Sequence, residues 1–336
     1  MNDEFFMKLA LDEAWKYQLL TYPNPAVGCV IVGINGQILS INAHKGAGNA
    51  HAELGAVSNA LCVLLPELKN ELCSLENSPN ELYNFILKHH KNALKGASAF
   101  VTLEPCAHHG RTPPCAYLLR DLGFLRVVFG SKDKCGAGTG GSEILANAGV
   151  SVKNYILEKK CDELLEPFIS WQNGNFTFLK IALSANGVYS GKISGELAQK
   201  HCHEIRSRLD YIVIGGNTAR LDRPVLDARY SATKHAPNAL IYSKSKDFDK
   251  TIPLFKVPNR KVEISNNLDI LKNSKLSMIE CGPKLLNTLS QQFKWLLIYK
   301  SSSFKTGEFL QSDLSFEIMN KTQLGDDTAL WCKIKY

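Results

Sequence analysis

The 336-residue chain contains no run of 18 apolar residues, so nothing in it reads as a membrane-spanning helix. Its first residues, MNDEFFMKLALDEAWK, mix acids with an amphipathic pattern (Met7, Ala10, Leu11, Ala14) and lack the basic-then-apolar order of an export signal. A cytoplasmic protein with no membrane partner is therefore expected. There is no low-complexity segment and no repeat linking the two halves, and disorder is not indicated. Charge of one sign is not concentrated: 39 Lys and Arg against 32 Asp and Glu give +7, spread through stretches such as KSKDFDK and VPNRKVE. Neither a basic tail nor the lysine and aromatic interleaving of a single-strand groove is found, which argues against nucleic acid as a partner. A structural zinc half-site would show Cys-x2-Cys to Cys-x4-Cys, and that spacing too is missing.

What is present is enough for two globular domains, since 45% of the residues are hydrophobic and 21% charged. Strand and helix signals alternate along the first 150 residues. A helix is expected over about residues 3 to 20, AVGCVIV reads as a buried strand, and GINGQ as a hairpin turn into ILSINAH. AHAELGAVSNALCVLL has helical spacing, AFVTL is a short strand, and TPPCAYLLRDLG opens a helix with prolines in its first turn, before the strand RVVFG. Alternation of this kind predicts an α/β sandwich with a mostly parallel or mixed sheet. Residues 62–95 read as one or two surface helices inserted into this domain, with Ser78 and Glu81 as a capping box and Pro79 in the first helical position. Helical periodicity gives way near EPFISWQNGNF. The expected layout is thus a first domain over 1–150, a linker over 151–175 and a second α/β domain over 176–336, where TFLKIAL, GELAQKHCHEIRSRL, YIVIGG and SMIECGPKLLNTL restart the alternation.

Ten cysteines scattered through a chain with no export signal suggest reduced thiols or metal ligands rather than disulfides. Two of them stand in VTLEPCAHHGRTPPC, separated by eight residues, with HAE (His51 to Glu53) upstream at the start of a helix. A hydrolytic zinc site needs three protein ligands and an open position, and His51, Cys106 and Cys115 supply three. Glu53 is spaced to stand beside the metal and to carry protons between an attacking water and a leaving ammonia. An isolated HAE triplet or a pair of buried cysteines would mean little, so it is their combination, with Pro105 before the first cysteine, that points to a catalytic centre. The arrangement is that of zinc nucleobase deaminases except for the longer cysteine spacing. A structural zinc would need a fourth ligand, for which only His108 or His109 is at hand. Cys29, Cys62, Cys73, Cys135, Cys161, Cys202, Cys281 and Cys332 read as structural.

PNPAVGC at 23–29, HAE at 51–53 and VTLEPCAHHGRTPPC at 101–115 closely resemble the deaminase domain of the bifunctional riboflavin biosynthesis proteins, pyrimidine deaminase/reductases. The resemblance implies a cytidine-deaminase-like three-layer α/β/α domain that holds one zinc and deaminates a diaminopyrimidinone bearing a phosphoribosylamino arm. It assigns His51, Cys106 and Cys115 to zinc, Glu53 to catalysis, and Asn24, His44, His108, Arg111 and Thr112 to the substrate. KIALSANG, HEIRSRLDYIVIGGNTARLDRPVLDAR and IECGP resemble, more patchily, the same family's reductase domain, which is like dihydrofolate reductase and uses NADPH. Here the resemblance implies substrate contacts at Ser190, Arg206, Leu226, Arg229 and Glu280. It also implies NADPH contacts at Ala182, Lys192, Thr218, Asp222, Gly282 and Pro283. Arg206 and Arg229 suit a sugar phosphate, whose oxygens accept paired N–H donors. A phosphorylated pyrimidine substrate and a homo-oligomer, dimer or tetramer, complete the expectation.

Departures from the family pattern concentrate in the second half. Asn186 stands where an acid is usual, Lys192 where a tryptophan is common, and Cys281 replaces a small residue. A deaminase with a degenerate reductase domain is the alternative these departures leave open, and the zinc site with the +7 charge leaves a nucleobase or nucleic-acid deaminase with an accessory domain as another.

Overall fold

The structure is a computed structural model that describes residues 2–110, 112–133 and 138–336. Arg111 and Cys135, named above, lie outside the described residues. The chain divides into two compact units, Met1–Ile169 and Ser170–Tyr336.

In the first unit, α1 (Asp3–Trp15) starts where the Asn2 side chain accepts a hydrogen bond from the Phe5 amide. It buries Phe6, Met7, Ala10, Leu11 and Ala14. The helix stops five residues short of the expectation, and the chain continues in turns, with Leu19 in the left-handed region at φ 68°. Strands β1 (Gly28–Val32) and β2 (Ile38–Ala43) form the expected hairpin, closed by Gly36 at φ 81°. Gly28 belongs to the PNPAVGC motif for a packing reason. A Cβ there would lie 1.9 Å from the Ala10 carbonyl oxygen, because α1 crosses β1 at that point.

Helix α2 (Ala52–Leu64) is followed by a 3-10 turn at Pro66–Leu68, α3 (Lys69–Ser74) and α4 (Pro79–His89). These last elements are not a surface decoration. Leu72, Leu82, Ile86 and Leu94 are buried in the same core as Leu54, Val57 and Leu61 of α2, each such side chain contributing about 1.5–3 kcal/mol relative to exposure. Ser78 is the N-cap of α4 as expected, but its side chain makes no capping bond, so the capping box is not formed.

The unit is completed by β3 (Ser98–Leu103), α5 (Cys115–Asp121), β4 (Arg126–Ser131), α6 (Gly141–Asn147), β5 (Ser151–Lys153) and α7 (Glu158–Asn173). Strand order is β2-β1-β3-β4-β5. Since β1 is antiparallel to both β2 and β3, these two run in the same direction and their carboxyl ends share one edge. The residues expected to act together follow those ends. Segment 151–175, expected as a linker, holds β5 and most of α7. Cys161, Leu164, Leu165 and Phe168 of α7 are buried, and Gln18 donates to the Leu164 carbonyl at 2.7 Å, just before the break that Pro167 makes in the helical ladder.

The second unit carries β6 (Phe176–Leu183), α8 (Glu196–Arg206), β7 (Tyr211–Gly215), α9 (Gly216–Leu221), β8 (Asn238–Tyr242), β9 (Val262–Ser265), β10 (Leu276–Glu280), α10 (Pro283–Leu289), β11 (Trp295–Lys300), β12 (Ser315–Leu324) and β13 (Asp327–Lys335). The sheet order is β12-β13-β11-β6-β10-β7-β8-β9. The six strands from β11 to β9 are parallel neighbours, and β13 and β12 extend the sheet as an antiparallel hairpin. The parallel strands β7, β8 and β10 are buried along most of their length and read as near-continuous apolar runs. In this register Lys180 on β6 pairs with Glu280 on β10, which sets two opposite charges side by side at the carboxyl end of the sheet. Among the described residues, no helix is long and apolar enough to cross a membrane.

Candidate active sites

The ligand triad forms where β2 and β3 end. His51 is the residue before α2, Cys106 follows β3 by three residues, and Cys115 opens α5. His51 Nδ1 lies 3.7 Å from Cys106 Sγ and 3.6 Å from Cys115 Sγ, and all three ligand atoms lie within 4.8 Å of one another. Zinc–sulfur and zinc–nitrogen bonds of about 2.3 and 2.0–2.1 Å subtend an edge of about 3.6 Å in a tetrahedron. The donor set therefore fits zinc in both softness and spacing, and it leaves the fourth corner open among the described residues.

Hydrogen bonds prepare the sulfurs. The Cys115 amide donates to Cys106 Sγ at 3.3 Å. The Cys115 thiol and His51 both hold Cys106 well below the usual thiol value, although burial opposes them. Cys115 is correspondingly pushed up, chiefly by its bond to Cys106 and by burial, so the two sulfurs share one proton that a divalent cation would replace. Burial pulls the His51 imidazole down, but the Cys106 sulfur outweighs it and the net shift is upward. With Nδ1 turned to the sulfurs, Nε2 meets Thr112 Oγ1 at 2.8 Å. Thr112, expected as a substrate contact, is buried and holds the far nitrogen of the ligand histidine.

Glu53 stands in the first turn of α2, 4% exposed. Burial and the Cys106 sulfur raise its carboxyl to about 7, and the Cys115 thiol hydrogen-bonds it. A carboxyl poised near neutrality beside the open corner can both take and return a proton. His44 is buried, with Nδ1 3.0 Å from the Ala50 carbonyl and Nε2 3.0 Å from Asn24 Nδ2. The carbonyl fixes the proton on Nδ1, so Nε2 accepts from Asn24. Burial and neighbouring His51 lower His44 to about 4, which keeps it neutral. Its ring meets that of His51 edge to face at 5.6 Å. His108 is exposed on the loop between the cysteines. Sequence reasoning passed over Glu104, which accepts from the Ser142 amide at 3.0 Å and hydroxyl at 2.6 Å and so ties the ligand loop to α6. Gly141 lets that helix approach, since a Cβ there would meet the Pro105 carbonyl oxygen at 1.8 Å.

The second cluster stands at the carboxyl end of the β6, β10 and β7 strands. Arg206, the last residue of α8, donates to Glu280 Oε1 at 2.8 Å and to the Asp227 carbonyl at 2.8 Å. Lys180 Nζ reaches the same Glu280 oxygen at 3.6 Å. Burial alone would raise Glu280, but Lys180 and Arg206 override it and hold the carboxyl at about 2. Arg229 Nε bonds Asp227 Oδ1 at 2.8 Å. The structure thus brings Arg206, Leu226, Arg229 and Glu280 together. It adds Lys180, Asp227 and Arg260, which no spacing in the sequence had singled out.

The remaining expected positions are more dispersed. Ser190 accepts from the Glu308 amide at 3.1 Å, and Lys192 is exposed. Ala182 lies on β6 opposite Tyr299. Thr218 is in α9, and Asp222 is its C-cap, its carboxyl raised by burial. Gly282 is the N-cap of α10, with Pro283 in the first helical position. Asn186, the departure from the usual acid, accepts from Lys305 N at 3.0 Å and from the Ser184 hydroxyl at 2.7 Å while donating to the Lys305 carbonyl at 2.9 Å. An aspartate could not make the last bond.

Comparison with known proteins bears on both halves. Residues 1–131 match the cytidine and deoxycytidylate deaminase zinc-binding region, and residues 182–293 match the RibD C-terminal domain. The riboflavin biosynthesis protein RibD of Actinobacillus pleuropneumoniae is 34% identical over 244 residues, 70% of this chain and 56% of its own length. That of Aquifex aeolicus is 32% identical over 248 residues, 71% and 61% of the two chains. The chain thus covers less than two thirds of these curated relatives. Among solved structures, the diaminohydroxyphosphoribosylaminopyrimidine deaminase/5-amino-6-(5-phosphoribosylamino)uracil reductase of Thermotoga maritima is 25% identical with a TM-score of 0.63, over 99% of each chain. RibD of Acinetobacter baumannii, 24% identical, gives 0.60 over 99% of each. The fold is a cytidine-deaminase-like zinc-binding domain followed by a RibD C-terminal, dihydrofolate-reductase-like domain.

Proposed function

The chain belongs to the family of the riboflavin biosynthesis protein RibD, and from that premise we propose that it carries out both steps named for its relatives. The first is hydrolytic deamination of 2,5-diamino-6-(5-phosphoribosylamino)pyrimidin-4-one. The second is reduction of the ribosyl arm of the product to ribityl. The observation that carries the reading is the His51, Cys106 and Cys115 triangle with tetrahedral spacing, an open corner and the buried Glu53 beside it.

Zinc held by those three residues would supply Lewis acidity and make an attacking water reactive near neutral pH. Glu53 takes one proton of that water and returns it to the ring nitrogen, then takes the proton of the newly added hydroxyl and passes it to the departing ammonia as the C–N bond breaks and the carbonyl forms. Its raised carboxyl suits this double duty, since a strong acid would not accept and a weak one would not return the proton. Neutral His44, held by Ala50 and Asn24, keeps a fixed polar wall without adding charge. Arg111 and His108 are assigned to the substrate's phosphorylated arm.

In the second domain NADPH would supply a hydride to C1′ of the ribosyl arm. Ala182, Lys192, Thr218, Asp222, Gly282 and Pro283 are assigned to the nucleotide, whose phosphates suit the turns after β7 and β10. Arg206, Arg229, Leu226, Ser190 and Glu280 orient the arm and hold its phosphate. The family reading also carries a homo-oligomer as the working state.

The test follows ammonia and NADPH separately with the diaminopyrimidinone substrate. Ammonia release without NADPH, and NADPH oxidation that depends on the deaminated product, are expected. Glu53→Gln should lower ammonia release about 10²- to 10⁴-fold while zinc content stays near one per chain. Undiminished deamination by that variant would refute the role of Glu53.

A further inference from the structure

The turn at Val225–Arg229 is held by an unusual set of donors. Arg260, two residues before β9, donates through Nη1 to the Val225 carbonyl at 2.9 Å and to the Leu226 carbonyl at 3.4 Å. The next carbonyl, of Asp227, takes Nη1 of Arg206 at 2.8 Å. Two guanidinium groups therefore draw three successive carbonyls to one side. In a trans peptide the N–H of the following residue points opposite to the carbonyl. The amides of Leu226, Asp227 and Ala228 are accordingly turned the other way, and none of them donates to a protein acceptor among the described residues.

The conformation is not one the sequence would adopt for its own sake. Leu226 has φ 57°, a left-handed conformation that costs a branched side chain about 1–2 kcal/mol. Arg260 is itself held at a cost, because its Nε and Nη2 are buried without a partner. Burial and the nearby Arg206 lower its pKa to about 10. A half-buried, half-satisfied arginine and a left-handed leucine meet at one turn, which marks strain kept for a purpose. The charges point to the ligand. Among the described residues, Lys180, Arg206, Arg229 and Arg260 gather with Asp227 and Glu280, an excess of two positive charges around the turn whose field favours an anion at its amide face. That balance suits a phosphate dianion.

We propose that Arg260 is a positioning residue for phosphate recognition. By drawing the Val225 and Leu226 carbonyls inward, it holds Leu226 left-handed and presents the amides of residues 226–228 to the substrate phosphate, which Arg260 itself does not touch. The inference rests on the reductase reading above and goes beyond the residues the family resemblance assigns.

The experiment measures NADPH oxidation by the full chain and by Arg260→Met and Arg260→Lys, using the deaminated substrate with and without its 5-phosphate. Arg260→Met should raise KM for the phosphorylated substrate about 10-fold, the worth of a hydrogen bond or two, with kcat little changed. The dephosphorylated substrate should be used equally well by all three proteins, and Arg260→Lys, which can still donate to both carbonyls, should recover most of the loss. Equal losses with both substrates would mean a merely structural role, and no loss with either would mean none; each overturns the proposal. Ammonia release by the N-terminal domain reports folding. If the wild type oxidises no NADPH with either substrate, the reductase reading has failed, and calorimetry with ribose 5-phosphate decides the point separately. Weaker binding by Arg260→Met then upholds the role of Arg260, and equal or absent binding to the two proteins overturns it.

Discussion

In the N-terminal domain the site converges on an open corner: two sulfurs share one proton, the His51 imidazole faces them, and the nearby Glu53 carboxyl is raised toward neutrality. In the C-terminal domain the charges are already in one another's hands. Glu280 is flanked by Lys180 and Arg206, Asp227 by Arg206 and Arg229, and the carboxyl of Glu280 is depressed rather than raised. The contrast follows from the charge each site is built to receive. A cation site keeps electron pairs uncompensated until the cation arrives, whereas an anion site must hold several cations together beforehand, which internal carboxylates make possible. A carboxyl near 7 and a carboxyl near 2 are thus both products of burial, with the sign decided by the neighbours.

The largest effect expected is from breaking the first site outright. Cys115→Ser should leave no measurable ammonia release and far less than one zinc per chain by elemental analysis, because three protein ligands are the minimum for a catalytic centre. Reduction of the deaminated substrate should be unaffected, and a fall in both activities would mean that the two sites are not separable.

Breaking the second site should show first in stability. Glu280→Gln leaves Lys180 and Arg206 buried without their common partner and should cost about 3 kcal/mol. Glu280 has a folded-state pKa of about 2 against an ordinary 4.5. Its contribution is therefore complete above about pH 4.5 and lost as pH falls toward 2. Urea unfolding followed by tryptophan fluorescence, for which the buried Trp295 and Trp331 report on this domain, should show that acid loss in the wild type and not in the variant.

The smallest effect sharpens the contrast without destroying either side. Thr112→Val removes the hydroxyl that fixes His51 Nε2 and should weaken zinc binding about 10- to 100-fold in a chelator competition. Unchanged affinity would return Thr112 to the substrate role the family resemblance implied.

The two sites also differ in how far they could be read in advance. His51, Glu53, Cys106 and Cys115 were legible because metal chemistry admits few residue types and because all but Cys106 precede or open a helix, a position that sequence marks well. Asn24 and His44 came through resemblance, and the structure joins them in one hydrogen-bonded pair. Lys180, Asp227 and Arg260 were not legible, since lysines, aspartates and arginines are common and nothing in their spacing links positions 180, 227, 260 and 280. Only the parallel register of β6 and β10 sets Lys180 beside Glu280. The elements were read better than their limits. Segment 62–95 read as one or two surface helices inserted into the domain, yet Leu72, Leu82 and Ile86 close the core of α2. Helix α7 was read as a linker because Pro167 and the Gly/Asn turn after it interrupt the pattern, while its buried face holds the helix through the break.

By itself the sequence determined which atoms can ligate a soft divalent cation, that two α/β domains follow one another, and where most helices begin, because these depend on residue type and near-neighbour spacing. The tertiary structure decided which nitrogen of His51 faces the sulfurs, that Glu53 is raised and Glu280 depressed, and that Leu226 is held left-handed by an arginine 34 residues away. Each of those depends on the distance between groups remote in the chain, and electrostatic and hydrogen-bond energies are set by that distance rather than by order along the sequence.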